Sequence, residues 1–249
     1  MRFDVITIFP QSLDGLLSVG VVGQACEAGE IVVHVHDLRD FTDDVHRVVD
    51  DRPYGGGAGM LLKVEPFVRA LETLRPQWGP RTTTVLLSAQ GRLFAQVDAA
   101  RYAQGDGLVL LCGRYEGVDE RILAFVDEEI SIGDFVLAGG EVAAAVVIEA
   151  TARMLPGVVG KYESVATDSF YDEPRLGAPQ YTRPPEFRGH GVPDVLLSGD
   201  HARIEEFRRR EAWKKTARNR PDLLGVTREP DELARGSLGL KDEVEGERG

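Results

Sequence analysis

Two glycine-bearing segments carry the side chains best suited to chemistry. One is Cys112–Gly113–Arg114–Tyr115–Glu116–Gly117–Val118–Asp119–Glu120–Arg121. The other is Ser131–Ile132–Gly133–Asp134–Phe135–Val136–Leu137–Ala138–Gly139–Gly140–Glu141. Each follows a run of apolar, strand-like residues. Glycine there lets the backbone take positive φ and approach a ligand closely. Two such turns on neighbouring strands make a crevice at the carboxyl edge of a sheet. Tyr115 and Phe135 offer flat faces, and Glu116 and Asp134 offer anions. That set suits a planar, cationic, hydrogen-bonding ligand better than a phosphate.

Other candidates are weaker by spacing alone. The loop Gly55–Gly56–Gly57–Ala58–Gly59–Met60 follows Asp50–Asp51–Arg52–Pro53–Tyr54. It lacks the Lys-Ser/Thr of a P-loop and the spacing of a dinucleotide fingerprint. A flexible turn and a substrate-contact loop both remain open. His34 and His36 face the same side of a strand, but no third ligand stands at useful spacing, so a packed pair is expected rather than a metal site. Cys26 and Cys112 read as small apolar core residues. Asp168 reads as a turn residue and Arg153 as a helix C-terminal charge. Arg208–Arg209–Arg210 with Lys214 and Lys215 is either a solvated helix face or a phosphate-backbone contact. Phe207 and Trp213 on the same helix are expected in the core.

Composition bounds the class. A chain of 249 residues fits one large or two smaller domains. Its net charge of −12 argues against coating nucleic acid over the whole surface, though not against a local basic patch. Two cysteines are too few for a disulfide framework and point to a reducing compartment. No signal-peptide pattern and no apolar run of ~20 residues is found, so a cytoplasmic protein with no membrane span is expected.

The elements that must position these residues alternate. Strands are expected at Phe3–Phe9, Ile31–Val35, Thr83–Leu87, Leu108–Leu111 and Glu128–Ser131. Helices are expected at Leu13–Ala28 (broken near Gly20), Val64–Leu74, Phe94–Ala103, Val118–Phe125 and Glu141–Leu155. Asp40–Met60 is expected as a loop and Ser88–Arg92 as a turn. This is an α/β pattern with a mainly parallel sheet. After Pro156 the composition shifts. Gly160–Arg188 reads as a linker, and a helix capped by Ser198–Gly199–Asp200–His201 runs to Lys215. The tail after Lys241 is expected to be frayed.

Taken in order, these pieces resemble the bacterial tRNA (guanine-37-N1)-methyltransferases of the SPOUT class. The matching stretches are Phe9–Pro10, Arg39–Thr42, His46–Arg47, Asp50 through Gly57, Ser88, Gln90–Arg92, Cys112 through Arg121, Ser131 through Glu141, Pro156–Gly157, Asp168–Phe170, Tyr181–Pro184 and Leu196–Gly199. The resemblance implies a trefoil knot over roughly residues 83–142, against the usual rule that connections do not thread. It implies a catalytic domain over 1–160, a flexible linker over 161–180 and a small helical tRNA-binding domain over 181–249. It further implies an obligate homodimer with sites completed by the partner subunit.

The implied methyl donor is S-adenosylmethionine, held by Leu87, Ser88, Gly113, Tyr115, Glu116, Gly117, Ser131, Ile132, Gly133, Asp134, Phe135, Val136, Leu137, Gly139 and Gly140. Family members also depend on Mg²⁺, whose ligands nothing in this sequence fixes. The substrate is the tRNA anticodon stem-loop, met by Asp50, Tyr54, Gly56, Gly57, Ser169, Arg183, Arg208, Arg209, Lys214 and Lys215. The implied general base is Asp168, with Arg153 as the cation at O6. The chain departs from the family in having Phe135 for Tyr, Ala89 for Pro, and Gly177–Ala178–Pro179–Gln180 for a Cys-Pro-His form. The rivals are a knotted enzyme with another RNA target and a catalytically silent RNA-binding relative. A Rossmann-type methyltransferase is disfavoured, because the first strand lacks its glycine-rich turn.

Overall fold

In the computed structural model, residues 1–159, 168–171 and 173–225 are described. The chain divides into two compact units, Met1–Gly160 and Lys161–Gly249.

The first unit is built on strands β1 (Arg2–Thr7), β2 (Val32–Asp37), β5 (Thr82–Leu93), β6 (Gly107–Cys112) and β7 (Glu128–Ser131). All pairings between them are parallel, in the order β2-β1-β6-β5-β7. Every residue of β6 is buried, as expected of a central parallel strand covered on both faces. The short strands β3 (Asp50–Asp51) and β4 (Leu61–Leu62) pair as an antiparallel stem under the glycine-rich loop.

Alternation along β1 splits the core. Phe3 and Val5 join one apolar cluster with residues of α2 (Gly20–Glu27) and α5 (Glu141–Ala152). Ile6 joins the other with residues of α3 (Val64–Leu74). In α3, Val64, Phe67, Ala70, Leu71 and Leu74 are buried, the spacing of one helical face. The helix α4 (Gln96–Tyr102) also packs against α5. A short helix, α1 (Asp14–Leu17), is separated from α2 at Ser18–Val19, the break expected near Gly20.

Three expectations change. The turn at Ser88–Arg92 lies within β5. Leu87 and Arg92 both pair with Ile130 of β7, so Ser88–Gly91 loops out of the ladder. The helix expected at Val118–Phe125 is only a 3-10 turn, Glu120–Ala124, started by the Asp119 side chain accepting from the Arg121 amide. The Asp40–Met60 loop contains the β3 strand and part of a 3-10 turn, Leu38–Phe41.

Asp4 is 1 % exposed and accepts from Arg2 Nε at 2.7 Å and Arg2 Nη2 at 2.8 Å, and from Trp78 Nε1 at 3.1 Å. His36 Nε2 lies 2.7 Å away. Burial opposes its charge, but the hydrogen bonds from Arg2 and His36 prevail and hold its pKa at about 2. His36 is thus a packed partner of Asp4, stacked on His34.

The second unit holds the pair β8 (Glu186–Phe187) and β9 (His190–Gly191), the short helix α6 (Asp194–Leu197) and the long helix α7 (His201–Asn219). The Asp200 side chain caps α7 by accepting from the Arg203 amide. Part of the expected linker is fastened here. Leu176 N donates to Thr216 Oγ1 at 3.0 Å, and the Arg220 guanidinium lies over the Phe170 ring. Linker residues 160–167 and 172, and the tail from 226 on, lie outside the described residues. Among the described residues, no helix is long and apolar enough to cross a membrane.

Candidate functional site

The Ser88–Gly91 loop within β5 and the loops that follow β6 and β7 surround one cavity of about 300 Å³. Its walls include Leu87 and Ser88 from the first loop. Gly113, Tyr115, Glu116 and Gly117 come from the second. Ser131, Ile132, Gly133, Phe135, Val136, Leu137, Gly139 and Gly140 come from the third. These are the expected donor-binding residues except Asp134, which is exposed and off the wall.

The loops are held by backbone and serine-hydroxyl hydrogen bonds. Gly140 N donates to Gly113 O at 3.0 Å, and Gly117 N to Arg114 O at 3.0 Å. In the first loop, Gln90 N donates to Ser88 Oγ at 3.0 Å. In the third, Ser131 Oγ donates to Gly133 O at 3.0 Å. A Cβ at Gly140 would lie 2.8 Å from Cys112 Cα. Only glycine permits that approach of two donor loops. Tyr115 has φ +61°, a strained region for a bulky residue.

Beneath the loops lies a buried ion pair that the sequence reading did not single out. Glu141 is 2 % exposed. It meets Arg114 Nη2 at 2.9 Å and accepts from Arg114 Nε at 3.0 Å and from Thr7 Oγ1 at 2.5 Å. Thr7 Oγ1 in turn accepts from Phe9 N, and the Arg114 guanidinium lies 4.7 Å from the centroid of the Phe9 ring. One pair therefore joins β1, the second loop and the start of α5. The available signal was a lone acid opening an apolar helix. With Arg114 neutralised, Glu116, Glu120 and Glu129 on the wall leave the cavity acidic, which suits a cationic ligand. Burial pushes the Cys112 thiol well up, with the Glu141 charge adding to it. Cys112 is therefore a neutral core residue and no nucleophile.

The glycine-rich loop is stitched to the second donor loop. Glu116 N donates to Met60 O at 3.1 Å, and Leu62 N to Gly117 O at 3.0 Å. Asp50 sits in the stem below the loop, Tyr54 is fully exposed, and Gly56 and Gly57 have positive φ.

The chain matches the family model described as "tRNA (Guanine-1)-methyltransferase TrmD" over residues 1–226. It belongs to that family. Similar proteins named "tRNA (guanine-N(1)-)-methyltransferase" occur in Geobacter metallireducens, at 50% identity over 90% of this chain and 91% of the relative. In Geotalea uraniireducens the identity is 52% over 90% of both, and in Thermotoga petrophila 47% over 94% of both.

For a member of the tRNA (guanine-1)-methyltransferase family, the remaining expected residues are placed as follows. Arg153 is the half-buried C-cap of α5 in the first unit. Asp168 is exposed and opens a turn in the second unit, where Ser169 Oγ accepts from Gly177 N at 2.9 Å. Arg183 is exposed. Arg208, Arg209 and Lys214 are exposed on α7, and Lys215 is half-buried. Lys214 pairs with Glu211 at 2.8 Å. Trp213, expected in the core, is instead 54 % exposed. The buried stripe of α7 is Ala212 and Thr216, four residues apart, and an indole one position on points off that stripe. Among the described residues, no three His, Cys, Asp or Glu side chains converge to cage a metal ion.

Proposed function

We propose that this protein transfers the methyl group of S-adenosylmethionine to N1 of guanine 37, beside the anticodon, in tRNA. The observation that carries the reading is the three-loop cavity, acidic and aromatic-walled, in a chain of this family. Tyr115 and Phe135 supply flat faces for an adenine, and Glu116, Glu120 and Glu129 offset a ligand's positive charge. The donor supplies an electrophilic methyl whose S–C bonding pair leaves with sulfur as the N1–C bond forms.

Neutral guanine carries a proton on N1, so a general base must take it. Asp168 is assigned that role, with the proton moving from N1 to its carboxylate. Negative charge then spreads to O6, and the Arg153 guanidinium is assigned to stabilise it. The target base leaves the loop stack to react, at a cost of a few kcal/mol.

The reading includes a trefoil knot through the three loops, a catalytic domain over 1–160, a linker over 161–180 and an RNA-binding domain over 181–249. A homodimer is supported by Val142 and Val146, four apart on α5 and 53% and 43% exposed. Two valines on one solvent-facing stripe suit a subunit contact. The described residues offer no three-ligand cage for Mg²⁺.

The test is methyl transfer from labelled S-adenosylmethionine to unmodified tRNA transcripts, by the wild type and by Asp168→Ala. Loss of transfer in the variant with unchanged donor affinity is expected. Robust transfer by the variant would reject Asp168 as the base, and no transfer by the wild type would reject the activity.

A further inference from the structure

The second unit contains its own cavity, of about 580 Å³, within the size range of small-molecule sites. Its floor is aliphatic, with Val192, Leu196 and Ile204 all half-buried. Its rim carries Tyr181, Arg183 and Arg208. Ile204 and Arg208 are four apart on α7, so the cation stands one turn above the apolar floor.

Two features narrow the occupant. The wall holds no carboxylate, so it can neither attract a cation nor take a proton from a base. Among the described residues, neither Arg183 nor Arg208 has a hydrogen-bond or ion-pair partner for its guanidinium, whereas Arg210 and Lys214 pair with Glu211. Unpaired guanidinium groups above an apolar floor with a tyrosine face fit a flat ring that carries an anion. Residues 201–220 hold eight Arg and Lys against three Glu, in a chain of net charge −12. That local field favours a polyanion.

We propose that this cavity takes a nucleoside of the tRNA anticodon arm other than the one methylated. Its base stacks on Tyr181 over the aliphatic floor, and its phosphate is held by Arg183 and Arg208. Sequence-tolerant stacking of unstacked bases on aromatic side chains is a general means of gripping single-stranded loops. The inference rests on the reading of the protein as a tRNA methyltransferase.

The experiment is an abasic scan of an anticodon-arm RNA against the full-length protein, with affinity measured at each position. Wild type, Arg208→Ala and Tyr181→Leu are compared. Both side chains are solvent-exposed, and wild-type helicity by circular dichroism with an unchanged unfolding midpoint verifies that each variant is folded. One abasic position other than 37 is expected to weaken wild-type binding about tenfold to a hundredfold, the span of base–aromatic stacking. The same lesion is expected to have little effect in the two variants. A scan in which every lesion costs the same in wild type and variants overturns the proposal. So does coupling of Arg208→Ala only to removal of residues 226–249, which would give the cavity to the chain's own acidic tail. Absence of methyl transfer to the intact RNA would instead refute the underlying activity.

Discussion

Around the first unit's cavity, position is fixed from within. Backbone hydrogen bonds tie the loops together, Gly140 lies against Cys112, and the Glu141–Arg114 pair is sealed below them. On α7 of the second unit, Arg208 and Arg209 stand exposed with no ion-pair partner among the described residues, and Trp213 is half in solvent. One region is pre-organised for a small ligand of fixed shape, where misplacement is costly. The other presents charge and flat surface to a large polyanion, where adaptable side chains suffice. Substitutions should therefore act on stability and donor affinity in the first region, and on RNA affinity and salt dependence in the second.

The largest effect is expected at the sealed pair. Arg114→Ala leaves the Glu141 carboxylate buried without its partner, a loss of about 3–5 kcal/mol. Denaturant unfolding measures it, and a loss below about 1 kcal/mol would place the pair among ordinary surface bridges.

Acid should act next, away from the cavity. Asp4 has its pKa lowered from 3.8 to about 2. Its contribution is fully present above the unfolded value and is lost as pH falls through the folded one. The shift corresponds to about 2 kcal/mol, removed between roughly pH 5 and pH 2. Unfolding free energy measured over that window should fall more steeply for the wild type than for Asp4→Asn.

At the cavity itself, Gly140→Ala forces a Cβ against Cys112 Cα. A penalty of about 1–3 kcal/mol is expected, the usual range for overpacking. It should appear mainly as weaker donor binding by calorimetry, with tRNA affinity nearly unchanged. An equal loss of both would erase the contrast between the regions.

The smallest effect belongs to the exposed cations. Arg209→Ala should weaken tRNA binding similarly across sequences and reduce the salt slope by about 1. Donor affinity and stability should stay at wild-type values. A filter-binding titration over salt concentration reads this directly.

Much of the first region was legible in the sequence because its glycines mark turns after apolar runs. Val64–Leu74 was legible to the residue, since its apolar spacing is that of one helical face. What escaped was long-range. Nothing local shows that Ser88–Gly91 would loop out while both Leu87 and Arg92 pair with Ile130, because that register depends on a strand some forty residues on. Likewise, Thr7, Arg114 and Glu141 are brought together only by the sheet and α5. In the second unit the basic helix was plain, but its inward stripe was not. Small residues, Ala212 and Thr216, are buried while the larger Trp213 is not, the reverse of what hydrophobicity alone suggests. The roles of Asp168 and Arg153 came from resemblance, since a turn acid and a helix-end arginine carry no spacing signal.

The most direct test is to digest tRNA methylated by the wild-type protein to nucleosides and identify the labelled one. The account predicts label in 1-methylguanosine alone, and none when guanine 37 is replaced by adenine. Label in any other nucleoside, or transfer undiminished by that replacement, would contradict it.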